Sequence, residues 1–111
     1  MSNVYKNAIY APTTTANTTV YTCNATARAI IQNIQLTNQS GTHAVQCYIY
    51  KSANSTTLEF SHANMSANDT LNFCKGPVIL QEGDALLISA ASTVVTGVIS
   101  IMEVNRGTLV S

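Results

Sequence analysis

The sequence predicts an all-β protein, built as a single antiparallel β-sandwich. Three observations carry this. β-Branched side chains are abundant, and the 3.6-residue periodicity of an amphipathic helix is nearly absent. Apolar and polar residues alternate in short runs, the pattern of strands with one face buried. Turn-forming clusters recur at spacings of roughly 8–12 residues, as in sandwiches and barrels. About eight strands fit this grammar, and an even count with long and short loops alternating suits a jelly-roll-like arrangement. The 111 residues suffice for one domain with its own core. Residues 13–104 form the sandwich, 1–12 an N-terminal arm or short first strand, and 105–111 a polar C-terminal tail.

Each element has its own justification. Tyr5, Ile9 and Tyr10 are spaced along a polar stretch that ends at Pro12. Thr18 to Cys23 reads as a strand and Asn24-Ala25-Thr26 as a turn. Arg28 to Asn38 is the clearest strand, with Ile30, Ile34 and Leu36 on one face and Ile31, Gln35 and Thr37 opposite. Gln32 interrupts the apolar face. Asn38-Gln39-Ser40-Gly41 is a strong turn signal. Ala44 to Lys51 places Val45, Cys47 and Ile49 against Tyr48 and Tyr50. After a turn at Ser52 to Ser55, the strand Thr56 to His62 turns Leu58 and Phe60 inward, and Ala63 to Asn68 is a small-residue loop. Thr70 to Cys74 carries Leu71 and Phe73 on one face, and Lys75-Gly76-Pro77 breaks the chain. A short strand, Val78 to Leu80, leads to a tight turn, Gln81-Glu82-Gly83-Asp84. Ala85 to Ala91 is a strand with Leu86 and Ile88 on one side. Val95 to Val104 divides Val98, Met102 and Val104 from Ile99 and Ile101.

Composition narrows the function classes. Ten charged residues stand against thirty-six Ser, Thr and Asn. Short neutral side chains therefore keep much of the surface wet. They re-pair across a contact more cheaply than charges do, since burying charge costs several kcal/mol. Such a surface suits packing against other protein. Five basic and five acidic residues cancel, which leaves no electrostatic footprint for nucleic acid or anionic membrane. No apolar run approaches the roughly 20 residues of a membrane helix, and the N-terminus lacks a secretory-signal pattern. Six N-glycosylation sequons, at Asn17, Asn24, Asn38, Asn54, Asn64 and Asn68, reflect the richness in Asn, Ser and Thr.

Chemistry-bearing residues are few. The sequence holds no GxGxxG, Walker A, HExxH or GxSxG motif. His43, His62, Asp69 and Asp84 are the groups available to a triad, and local spacing does not unite them. Glu82 and Asp84 flank Gly83; this reads as a turn with a positive-φ glycine and a backbone-bonding Asp rather than a carboxylate pair for acid–base work or Ca²⁺. Glu103 is expected to be solvated or paired with Arg106. Cys23, Cys47 and Cys74 lack metal-ligand spacing and read as small, buried or half-buried hydrophobes made in a reducing cytosol. No catalytic residue, cofactor or metal is expected.

Tyrosine carries more meaning, because it buries a large ring and keeps a polar tip. The interface candidates are Tyr5, Ile9, Tyr10, Tyr48 and Tyr50. The last two suit a core rim, a subunit contact or a sugar-stacking platform.

The segment from Thr18 to Tyr50, TTVYTCNATARAIIQNIQLTNQSGTHAVQCYIY, resembles small virion structural proteins of tailed bacteriophages. Their order is T-x-Y-T-x-x-A-x-x-x-A-I-I-x-x-I-x-L-x-N-x-S-G followed by an alternating V-x-x-Y-I strand. GPVILQEGDALLISA, Gly76 to Ala90, resembles their L-x-x-G-D-x-L-x-I-x-A element. The resemblance spans residues 13–104 and departs at Asn24-Ala25-Thr26, where those proteins have Pro-Ala-Gly. It implies a capsid cement (decoration) protein that binds the outer head surface, with a neck, tail or baseplate part as the alternative. A carbohydrate-binding receptor-recognition module is a rival of another class. The implied partners are the major capsid protein and further copies of the chain, a trimer being favoured. The implied place is the virion, after synthesis in the host bacterial cytoplasm.

Overall fold

The computed structural model describes residues 2–74 and 76–105. Nine strands follow one another: β1 Ser2–Tyr10, β2 Thr18–Thr22, β3 Ala27–Asn38, β4 His43–Lys51, β5 Thr56–Met65, β6 Asp69–Asn72, β7 Val78–Leu80, β8 Ala85–Ala90 and β9 Val95–Asn105. No helix occurs among the described residues. Sheet A has the order β1-β9-β3-β6, with β7 also pairing β3; sheet B has the order β2-β8-β4-β5. Every pairing is antiparallel. Because β6 and β7 share one edge of β3, the nine strands of the described residues fill eight positions; the chain switches sheet from strand to strand except at the β4–β5 hairpin and the split edge β6/β7, as in a jelly roll. Within the stretch expected to be an arm or a short first strand, Ser2–Tyr10 forms β1. Lys75, Arg106 and the tail from residue 106 lie outside the described residues.

The core lies between the sheets. Ile31, Ile34 and Leu36 of β3, Ile99 and Ile101 of β9, Val45 and Cys47 of β4, and Leu86 and Ile88 of β8 are fully buried there. One correction follows from a bulge. The register of β3 on β9 shifts between Ile31 and Asn33, so Gln32 is an extra residue. A one-residue insertion flips the phase of a strand. Ala27, Ala29 and Ile31 therefore point inward before the bulge, and Ile34, Leu36 and Asn38 after it. Ile30, expected to share a face with Ile34 and Leu36, faces outward instead and is half-buried.

The neighbouring edge breaks at the same place. β7 pairs with residues 29–31 of β3 and β6 with residues 35–38. In the gap, Asn72 Oδ1 accepts hydrogen bonds from the Ile34 amide at 3.1 Å and the Cys74 amide at 3.0 Å. The side chain thus stands in for a ladder bond where the strand departs.

β5 needs a second correction. Its register on β4 slips between Cys47 and Tyr48, which makes Phe60 the extra residue. Leu58 is 54% exposed at this sheet edge, and Phe60 is half-buried. The strand runs three residues past the expected end at His62, and Met65, expected in a loop, is its fully buried residue.

Candidate functional site

The outward face of sheet A carries an apolar row that no single segment of sequence displays. Register places Tyr5 of β1 opposite Met102 of β9, Met102 opposite Ile30 of β3, and Ile30 opposite Ile79 of β7. Tyr5 is 75% exposed and Ile79 59%, while Met102 and Ile30 are half-buried between them. A second, shorter pair lies nearby: Ile9, 71% exposed, opposite Val98, 46% exposed. Between the two rows stand neutral polar residues, Asn7, Ser100 and Asn33. A groove of about 480 Å³ lies along Ile9, Gln35, Thr37 and Val98.

Strand alternation separates the tyrosines of β1. Tyr5 and Ile9 share the outward face, whereas Tyr10 points inward and is fully buried. Tyr10 is therefore a core residue and not an exposed interface anchor. Burial, and secondarily nearby Cys47, push its hydroxyl up to about 12. Tyr48 and Tyr50 lie on the outward face of sheet B, both half-buried. Tyr48 sits between Leu87 and Glu59, and Tyr50 between Ala85 and Thr57. The two β4 tyrosines and the two β1 residues therefore occupy opposite outer faces.

The titratable groups are held in structural contacts. Asp84 is almost fully buried and accepts from Lys51 Nζ at 2.6 Å, the Ser52 amide at 2.9 Å and the Gln81 amide at 3.0 Å. Burial by itself would raise its pKa; the bonds from Lys51, Ser52 and Gln81 outweigh burial and lower it. Ser52 Oγ also donates to the Glu82 carbonyl at 2.9 Å. Two turns, after β4 and before β8, are thereby tied together. Gly83 has φ of 84°, the positive value expected of this turn.

Glu103 corrects an expectation. It is buried rather than solvated, because alternation on β9 turns it toward the interior. Tyr21 Oη of the opposing sheet donates to it, and Lys6 Nζ stands 3.2 Å away. Burial first, and then the bond to Glu103, raise the Tyr21 pKa well above the usual phenol range. Arg106, its expected partner, lies outside the described residues.

The remaining candidates lie apart. His62 pairs with Glu59 at 2.6 Å on exposed β5, Glu82 with Arg28 at 3.3 Å, and His43 begins β4 beside Gly41. No three His, Cys, Asp or Glu side chains converge among the described residues. Cys23, Cys47 and Cys74 are buried and free. Burial, then Cys74 and Glu59, push the Cys47 thiol up to about 12, which suppresses the thiolate. The Asn38 amide is buried and reaches the carbonyls of Gly41, Met65 and Ser66 at 2.7, 2.9 and 3.1 Å, so this sequon cannot carry a glycan in the folded chain.

Fold and surface together define a jelly-roll sandwich with an outward apolar row. No family model matches the sequence, and no curated protein matches it. Among solved structures the chain is similar to a protein of disulfide-linked Bacillus endospore appendages, at 13% identity and TM-score 0.48, over 96% of this chain and 87% of that one. It is also similar to a protein of infectious bursal disease virus, at 11% identity and TM-score 0.44, over 98% of this chain and 32% of that one. A third likeness, to a Clostridium thermocellum xylanase with CBM22 and GH10 modules, has 12% identity and TM-score 0.45 and covers 80% of this chain and 18% of that one. The chain thus spans less than a third of the viral and xylanase chains.

Proposed function

We propose that this chain is a structural protein of a tailed-phage virion, a cement protein that binds the outer head surface and bridges capsid subunits. The observation that carries the reading is the row Tyr5, Met102, Ile30 and Ile79, which crosses sheet A from one edge to the other. An apolar row, bordered by Asn7, Ser100 and Asn33 on one side and by the paired Arg28 on the other, suits docking on protein. Its own side chains carry no charge, and Arg28 beside it is already paired with Glu82 at 3.3 Å, so the contact should lose little strength as salt rises. The sequence resemblance to phage virion proteins supplies the partner, the major capsid protein. Cement action is then mass action: a ligand that prefers the assembled shell stabilises it, by about 2.7 kcal/mol per site at a hundredfold excess over Kd.

The test is occupancy on particles. Purified virions should hold this chain at a copy number comparable to that of the major capsid protein, and Ile79→Lys should lower rebinding to stripped heads at least tenfold. A dozen copies or fewer would move the protein to the neck or tail. Normal rebinding of Ile79→Lys would remove the row from the contact.

A further inference from the structure

We infer that β1 is a docking edge for the β1 strand of a second copy, joining two copies of sheet A into one continuous sheet about a two-fold axis. Sheet edges present unpaired backbone groups, and proteins ordinarily blunt them. Three of the four edges here are blunted. On sheet A, the edge opposite β1 is split into pieces of four and three residues by the break that includes Pro77. On sheet B, β2 has five residues and a register slip between Thr19 and Tyr21. At the far side of that sheet, β5 is bulged and carries the Glu59–His62 pair. β1 lacks the breaks, slips and bulges of the other edges and carries a single charge, Lys6, held by Glu103. Its nine residues pair with β9 without a slip from Ser2 to Tyr10, and it contains no proline.

The second copy is selected by self-complementarity. In an antiparallel pair centred on Asn7, Tyr5 faces the Ile9 of the other copy, and Ile9 faces its Tyr5. Both exposed apolar side chains of the outward face then gain an aromatic–aliphatic partner twice over. The lone charge within β1, Lys6, faces Ala8 of the other copy, so no like charges oppose each other, and Glu103 already neutralises it at 3.2 Å. The pairing also extends the surface row: Ile79, Ile30, Met102 and Tyr5 of one copy run on into Ile9 and Val98 of the next. A one-residue change of centre to Lys6 would set the two lysines face to face, which disfavours it.

The inference stands apart from the shell-binding reading, because its test needs only the purified chain. Light scattering at high micromolar concentration should give twice the 11.8 kDa chain mass. Asn7→Cys should cross-link to itself under mild oxidation beyond the wild-type background, since opposed side chains lie roughly 5 Å apart. Tyr5→Cys and Ile9→Cys chains should cross-link to each other when mixed and neither to itself. Ile9→Lys should weaken the pair about tenfold, because symmetry removes both contacts at once, while the circular dichroism spectrum stays unchanged. A mass of one chain overturns the inference, even if that monomer captures extended peptides of other proteins. The three-chain mass implied by the sequence resemblance overturns the two-fold axis. Self-cross-linking of Tyr5→Cys overturns the register.

Discussion

The two outward faces of the sandwich differ more than their sequences do. On sheet A, Tyr5, Met102, Ile30 and Ile79 align across four strands with no charge in the row. On sheet B, Tyr48 and Tyr50 occupy one strand, flanked by Glu59 and Thr57 and by a Ser89–Gln46 hydrogen bond of 3.0 Å. Along the chain the tyrosine pair is the more conspicuous, because its members are two residues apart. In space the sheet A row is the larger apolar feature, assembled from positions distant in sequence. A surface suited to docking is a property of register, and a strand read alone shows one member of each row.

The sheets are also secured differently, which gives the comparison its largest tests. Sheet B is tied at one end by the buried carboxylate of Asp84. Asp84→Ala leaves the Ser52 and Gln81 amides without this acceptor and should cost about 2–4 kcal/mol, read as a lowered urea midpoint at unchanged slope. The same tie predicts acid sensitivity. The folded pKa of Asp84 is lowered, so its stabilisation is complete above the unfolded value of about 3.9 and is lost as pH falls through the folded value. Wild type should lose stability on that acid side, and Asp84→Ala should lose less there. Equal acid sensitivity in both proteins would place the acid-labile group elsewhere.

Sheet A depends instead on a close seam between β3 and β9. At Gly97 a Cβ would overlap the Gln35 carbonyl and the Leu36 side chain. Gly97→Ala should therefore cost about 1–3 kcal/mol in chemical denaturation. A neutral result would show that the two strands separate more readily than their geometry implies. The smallest effect on stability, and the sharpest contrast between faces, comes from paired surface changes. Ile79→Ser should stay within about 0.5 kcal/mol of wild type yet reduce occupancy on particles, whereas Tyr50→Ser should leave occupancy unchanged. The reverse outcome would transfer docking to sheet B.

Much of the fold was legible because local chemistry and global structure agree. Asn38 to Gly41 and Gln81 to Asp84 turn where their residues demand it, with Gly41 and Gly83 at positive φ. Leu86 and Ile88, like Ile99 and Ile101, point inward as alternation requires. The misreadings cluster at one bulge, one sheet edge and one buried acid. Ile30 and Ile31 exchanged faces because Gln32 is an extra residue, a slip visible only when β9 is laid beside β3. On β5 the extra residue Phe60 still packs against the core as expected, whereas Leu58, opposite Ile49 on the core-facing side, is exposed because the sheet ends there. Glu103 looked like a strand-end charge; its partners Tyr21 and Lys6 come from β2 and β1, far along the chain.

Of the candidate interface residues, Tyr5 and Ile9 are exposed and Tyr10 is not, a division that alternation along β1 accounts for. The row they join was not legible, since Met102, Ile30 and Ile79 meet Tyr5 only through three separate pairings.

By itself the sequence determined that this chain is made of strands, where most of them turn, and that its surface is neutral and cheap to desolvate. Those properties depend on side-chain branching, glycine freedom and composition, which act within a few residues. Only the tertiary structure decided which face each strand shows after a bulge, where the two buried carboxylates find partners, and that apolar side chains line up across sheet A. Those outcomes depend on pairing between distant segments, where a shift of one residue exchanges core for surface.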